Sequence, residues 1–326
     1  MDRRAFLHTT FPTAGAALGV SASSAAAATD MPMGTLGKTG LKVSRFCLGG
    51  AHMRMKGEEN AIKMIHRSLD LGVNFFDSAA KYHNGESDVT YGKALAGKRQ
   101  QVLLMSKAEN RTKDGAMAQL ENTLKRMKTD YLDLWQCHEV VRHDEVDKIF
   151  GPGGSLEAFV LAKKQGKVRH IGFTGHGDPS VHLRLLEGFE GWETVQCPIN
   201  LIDPHYLSFT YNVLPRVKQK GLGMLAMKSN AMGGIGKNNI APIEECLRFT
   251  LSQEPDTVVS GPQTIAELEQ NIGIVKAWQK FTPQEISSIL DRTRKGMIGS
   301  KVETYKKKEP WLTAASHREH RDGDAD

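Results

Sequence analysis

Eight short, continuously apolar runs recur along this sequence, each followed by a longer amphipathic stretch. No other feature constrains the fold as much. The runs occupy residues 44–48, 75–78, 102–106, 132–137, 168–173, 195–199, 224–227 and 257–260. The amphipathic stretches follow at 58–71, 86–95, 115–127, 155–165, 180–187, 213–220, 243–251 and 265–278. A strand that is apolar on both faces must be covered by helices, as parallel strands are. Eight such units, with no run of strands alone, predict an α/β fold closed into a (β/α)8 TIM barrel. An open, doubly wound sheet is the rival. It would carry a glycine-rich phosphate turn after the first strand, and Gly49-Gly50-Ala51-His52 lacks the third glycine of that fingerprint. Helix ends agree with the segmentation. Thr264 precedes Glu267 by the spacing of a capping box, and Gly72, Gly166 and Gly221 stand where helices stop.

Outside the alternation lie two terminal segments. Residues 1–29 open with Arg3-Arg4 before Phe6-Leu7, continue through a weakly apolar stretch and end in a small-residue tract. That order is a twin-arginine signal peptide, which implies export of the folded chain to the periplasm by the Tat machinery. Pro12, Gly15 and Gly19 interrupt its apolar part, so stable membrane insertion is not expected. The barrel should span residues 30–298. A polar extension, 299–326, follows, with a Lys-rich patch, Lys306-Lys307-Lys308, and a last dozen residues expected to be mobile.

Composition narrows the partners. The 43 Lys and Arg are interleaved with 37 Asp and Glu, with no basic block mixed with aromatics. The net charge of +6 therefore reads as surface rather than a nucleic-acid footprint. The four cysteines, Cys47, Cys137, Cys197 and Cys246, have no metal-site spacing, and three sit in strand-like runs as small hydrophobes, so no disulfide is expected.

In such a barrel, functional side chains stand at the carboxyl ends of strands and in the loops beyond them. Asp77 ends the second run, Tyr82 lies five residues on, Lys107 ends the third and His138 the fourth. Each alone is as well explained as a cap, a surface charge or a structural histidine. Together they suit carbonyl reduction, in which hydride transfer needs a proton donor beside the oxygen. A phenol serves if its pKa, ordinarily about 10, is lowered by an ammonium paired with a carboxylate. A histidine at the same mouth would orient the carbonyl.

The residues around these four resemble the aldo-keto reductases. The similar stretches are 36–44, 72–87, the Lys107 strand, Leu124-Lys125-Arg126-Met127-Lys128-Thr129-Asp130-Tyr131-Leu132-Asp133-Leu134, 166–172 and 260–271. The resemblance implies that Tyr82 donates the proton, that Lys107 and Asp77 lower its pKa, and that His138 positions the carbonyl. It also implies a nicotinamide cofactor, NADP(H) by family default, with NAD(H) possible. Gln196 matches the residue that holds the nicotinamide carboxamide. Thr174 stands in place of the family's Ser-Asn pair, followed by Gly175 and an unusual His176. Met227-Lys228 replaces the stacking tyrosine. Ser260 and Gly261 precede a helix start suited to phosphate, and Asn271 matches an adenine contact. Glu267 takes the place of the usual basic residue for the 2′-phosphate.

The expected function is thus an oxidoreductase interconverting a small carbonyl and an alcohol. The alternative is a cofactor-binding sensor on the same barrel with little turnover. A sugar isomerase or lyase would want a carboxylate-rich metal cluster at the strand ends, and no such cluster is legible.

Overall fold

The computed structural model describes residues 30–294 and 302–306. An antiparallel hairpin, β1 (Met33–Thr35) and β2 (Lys42–Ser44), comes first. The barrel then alternates β3 (Phe46–Gly49), α1 (Glu58–Asp70), β4 (Phe75–Asp77), α2 (Glu86–Ala94), β5 (Leu103–Ala108), α3 (Lys113–Met127) and β6 (Leu132–Cys137). Two helices, α4 (His143–Phe150) and α5 (Ser155–Lys164), lead to β7 (Val168–Thr174), α6 (Pro179–Gly188) and β8 (Thr194–Pro198). After α7 (Phe209–Asn212) and α8 (Leu214–Gln219) come β9 (Gly223–Met227), the short α9 (Gly234–Lys237) and α10 (Ile243–Ser252). Strand β10 (Thr257–Ser260), α11 (Ile265–Ala277) and α12 (Pro283–Arg294) complete the described chain. Strands β3 to β10 are parallel and closed, with β10 bonded to both β9 and β3. The expected eight-stranded barrel is therefore the observed one.

Its two cores follow from strand alternation. Cys47, Phe75, Met105, Leu134 and Leu225 point inward and pack as a small central cluster, capped by Leu36 and Val43 of the hairpin region. Neighbouring residues such as Phe46, Leu48, Phe76 and Trp135 point outward into the larger layer beneath the helices. Each fully buried side chain of this size contributes roughly 1.5–3 kcal/mol. The hairpin closes the amino-terminal end, where Gly37 N–H donates to Asp256 and Lys38 N–H to the Gly221 carbonyl. Function is thereby left to the opposite mouth.

Asp133, in the block most typical of the resemblance, is structural. Its carboxylate is buried, accepts from the Leu104 amide at 2.9 Å and bridges Arg99 and Arg169, both of which lie over the Tyr131 ring. All four cysteines are buried and free.

Three differences from the sequence reading have local causes. The β1/β2 hairpin is too short to show a period. Helix α4 is eight residues long and half of it is charged, and Glu145 fixes its start by accepting from the Arg142 amide at 3.1 Å. Helix α12 did have a signal. Thr282 accepts from the Glu285 amide while Glu285 accepts from that of Thr282, a reciprocal capping box. The predicted signal peptide, 1–29, and most of the predicted 299–326 extension lie outside the described residues. Within the extension, Lys306, the first residue of the Lys-rich patch, is buried. Its ammonium donates to Asp203 at 2.8 Å and Glu303 at 2.7 Å, and Val302 joins an apolar cluster with Leu201, Ile235 and Phe249.

Candidate active site

Parallel register brings the four catalytic candidates to one point. Asp77, the last residue of β4, lies in register with Gly49 of β3 and Met105 of β5, and Lys107 projects from β5 two residues beyond Met105. The Lys107 ammonium donates to the Asp77 carboxylate, to the Ser78 carbonyl at 2.7 Å and to the Tyr82 hydroxyl at 3.4 Å. Tyr82 begins a tight turn in which His83 and Asn84 both adopt left-handed backbone, φ 50° and 57°. His138 is held by its amide donating to the Ala108 carbonyl, and its ring meets that of Tyr82 edge-on with centroids 5.6 Å apart. Asp77, Lys107 and His138 are all buried.

Burial reverses one electrostatic expectation. The Lys107 charge does pull the Tyr82 phenol downward, but desolvation is the larger effect and the Asp77 carboxylate adds to it, so the phenol is pushed up to about 12. The same dry surroundings raise the pKa of Asp77, against Lys107, and hold His138 well below the usual imidazole range. Lys107 rises despite its burial, because Asp77 and Tyr82 both favour its charged form. At neutral pH the constellation is a protonated phenol beside an ammonium–carboxylate pair and a neutral imidazole.

Tyr82 and Asp77 form one edge of a cavity of about 520 Å³. Of the residues matched to cofactor binding, Gln196, Met227, Lys228, Ser260, Gly261 and Asn271 line it. Thr174 does not. It is buried at the end of β7, in register with Gln196, and its carbonyl accepts from the Val140 amide. His176, two residues on, does not line the cavity either; its Nε2 lies 3.4 Å from Glu139 and its ring meets that of Tyr305 edge-on. The Oε1 of Gln196 is buried without a protein partner, and its Nε2 lies 3.7 Å from the Met227 sulfur. An unanswered acceptor of this kind fits a ligand amide. At the far end, Thr264 caps α11 by accepting from the Glu267 amide, and the Glu267 carboxylate reaches back to the Gln263 amide at 2.7 Å. Glu267 is thus both a helix cap and a cavity wall. Asn271 donates to the Ser260 hydroxyl at 3.2 Å.

A model of the Aldo/keto reductase family matches residues 45–242. The chain belongs to the aldo/keto reductase family. It is an oxidoreductase of that type, and the relatives agree. An oxidoreductase of Bacillus subtilis is 24% identical, over 79% of this chain and 95% of its own. The L-galactose dehydrogenase of Arabidopsis thaliana is 25% identical, over 81% and 95%. Among solved structures, an aldo-keto reductase from Bacillus halodurans in its holo form superposes with a TM-score of 0.69 at 22% identity, over 80% of this chain and 96% of that one. One from Klebsiella pneumoniae, in complex with NADPH, gives 0.66 at 20% identity, over 82% and 95%. These two likenesses show the shared barrel.

Several wall residues of this family member escape sequence reasoning. His52, Met232, Lys237, Gln263 and Gln270 line the cavity as well. His52 stands in the first strand–helix loop, where position alone could have suggested it. Met232 and Gln263 sit in loops whose path no periodicity predicts, Lys237 ends the short α9, and Gln270 projects from α11, whose facing no local pattern settles. Among the described residues, no group of His, Cys, Asp or Glu is arranged to hold a metal ion, and no helix is long and apolar enough to cross a membrane.

Proposed function

We propose that this chain reduces a small carbonyl to an alcohol, or catalyses the reverse, with Tyr82 as the proton donor and acceptor. The observation that carries the reading is the Tyr82 hydroxyl at 3.4 Å from a buried Lys107 ammonium that Asp77 neutralises, on the edge of a cavity fit for a nicotinamide nucleotide. Bound there, the nucleotide would supply hydride. Gln196 would face its carboxamide, Met227 its ring, Ser260, Gly261 and the α11 start its phosphate, and Asn271 its adenine. The relative with NADPH and the family both favour NADP(H). The Glu267 carboxylate at the adenosine end tempers that preference and leaves NAD(H) as the alternative donor.

The chain's own residues divide the remaining work. As negative charge grows on the carbonyl oxygen, Tyr82 gives up its proton, and the Lys107 ammonium stabilises the phenolate left behind. Asp77 keeps Lys107 protonated in a site that would otherwise favour the neutral amine. His138, neutral beside Tyr82, offers a hydrogen-bonding edge without a competing charge. Without the Tyr82 hydroxyl the Lys107 ammonium keeps Asp77 and the Ser78 carbonyl as partners. Tyr82→Phe should therefore keep cofactor affinity and fold while turnover with NADPH falls roughly 10²–10⁴-fold. Near-full turnover in that variant would remove Tyr82 from the mechanism.

The same proposal places the protein in the periplasm. Support comes from Arg3-Arg4 and the small-residue tract ending near Ala28. Replacing both arginines with lysine should keep the precursor in the cytoplasm, and continued export would exclude the Tat route.

A further inference from the structure

Helix α2 packs on the barrel behind the reacting groups, and much of the face it turns inward is polar. Ser87, Asp88, Thr90 and Tyr91 are all buried there. A helix that covers parallel strands ordinarily buries an apolar stripe instead. Asp88 Oδ1 accepts from the Ser78 hydroxyl at 2.6 Å, and Oδ2 accepts from the Thr123 hydroxyl of α3 at 2.9 Å. The Ser87 hydroxyl lies 3.1 Å from that of Ser78. Among the described residues, Asp88 has no ion-pair partner; the charges of Arg126 and Lys107 act on it only from farther off. Burial raises its pKa, and the two hydroxyls and those two charges oppose the rise. A place in the first turn of α2 also favours the ionised form.

A buried carboxylate without an ion pair is costly, and an apolar residue in its place would not be. What Asp88 holds is a neighbour of the catalytic lysine. Ser78 follows Asp77, the last residue of β4, so its carbonyl has left the strand ladder. Its amide donates to the Met105 carbonyl at 2.9 Å, its hydroxyl donates to Asp88, and its carbonyl accepts from Lys107 at 2.7 Å. With amide and hydroxyl both tied, the carbonyl has little freedom to turn. An ammonium has three N–H donors, and here they meet Asp77, the Ser78 carbonyl and the Tyr82 hydroxyl. The reach to Tyr82 is 3.4 Å, longer than that to the Ser78 carbonyl, so its aim depends on the other two partners staying in place.

We propose that Asp88 is a positioning residue for carbonyl reduction: through the Ser78 hydroxyl it holds the Ser78 carbonyl against the Lys107 ammonium, which leaves the third N–H aimed at Tyr82. The proposal rests on the carbonyl-reduction reading above. Asp88 neither lines the cavity nor touches Tyr82, so its effect passes through Ser78 and Lys107. Charge-assisted hydrogen bonds are roughly twice as strong as neutral ones, which is the reason for a carboxylate at this place rather than an amide. Loss of the link would let Lys107 drift from the phenol while the cavity walls stay as they are. Proton donation would slow, and binding would not.

The test is reduction of para-nitrobenzaldehyde by NADPH in single and double variants. Ser78→Ala and Asp88→Asn should each lower kcat on the order of 10- to 100-fold, while NADPH affinity and the aldehyde KM stay near wild type. The double variant should be no slower than the slower single one, because both changes break one link. Ser78→Thr keeps the hydroxyl and should restore most of kcat. The solvent isotope effect on kcat should rise in Ser78→Ala and Asp88→Asn, as proton donation becomes the slow step. Thr123→Val cuts the bond on the far side of Asp88 and should lower the melting temperature without slowing turnover. If Asp88→Asn does not fold, Ser78→Ala reads the same link alone. Wild-type kcat in both single variants, or an equal fall in Thr123→Val, overturns the role of Asp88 and leaves the reductase reading intact. Failure of the wild type to reduce this aldehyde or any other carbonyl offered overturns both.

Discussion

The Lys107 ammonium is enclosed with one carboxylate, one phenol and one carbonyl, and both members of its ion pair are almost fully shielded from water. Removing one partner of such a pair leaves an uncompensated buried charge, which typically costs 3–5 kcal/mol, although the intact pair adds little net stability. Lys107→Met should thus lose about 3–5 kcal/mol in denaturant unfolding, in addition to its turnover. Adding Asp77→Asn removes the stranded charge, so the double variant should regain most of the stability and none of the activity. A single variant as stable as the wild type would show that the pair is not desolvated. That Asp77, Tyr82, Lys107 and His138 share one mouth could be read from sequence, because a parallel barrel brings its strand ends together. Their ionisation could not. A lysine near a tyrosine suggests a lowered phenol, whereas the packed mouth makes desolvation win.

Segments outside the regular alternation carry as much of the site as the strands do. Residues 302–306 return to the barrel and dock through Lys306, whose ammonium also donates to the Tyr206 carbonyl. Asp203, its partner, accepts from the Phe209 amide at 3.0 Å and the Thr210 amide at 2.8 Å, so one carboxylate fixes the turn into α7 and the returning tail. Lys306→Met should destabilise the protein by about 3 kcal/mol or more, which corresponds to a fall in Tm on the order of 5–10 °C. It should also raise the KM for carbonyl substrates, because the same dock holds the Tyr305 ring against Lys228 of the cavity wall. A melting temperature unchanged by the substitution would mean that the tail contributes no folding energy. From sequence, Lys306 belongs to a run of three lysines and reads as surface. Only the fold sets Asp203 and Glu303 around it.

Across the whole molecule, three buried histidines contribute to the response to mild acid. Burial lowers His138 well below its usual range, His176 to about 4 and His182, enclosed by the Phe173 and Phe209 rings, to about 3. In the unfolded chain each would titrate near 6.5. Between that pH and the folded values the unfolded state binds more protons, so stability falls as pH falls through this window and is indifferent to these groups above it. The Tm should hold from pH 8 to 7 and drop progressively below about pH 6.5. His182→Phe should shrink the drop between pH 6.5 and 4, and an unaltered acid limb would show that His182 does not contribute. None of the three depressions is visible in sequence, since each depends on what the fold packs around an imidazole. The chain alone determined the barrel, because continuous apolar strands alternating with amphipathic helices have few other ways to hide both strand faces. It also determined where chemistry-bearing residues stand, since strand ends are countable. Tertiary structure alone decided that Thr174 stays behind the cavity wall, that Glu267 serves as cap and wall together, and that a tail lysine is buried. Those outcomes depend on contacts between residues up to 103 positions apart, and no local pattern encodes the distance-dependent competition between desolvation and charge.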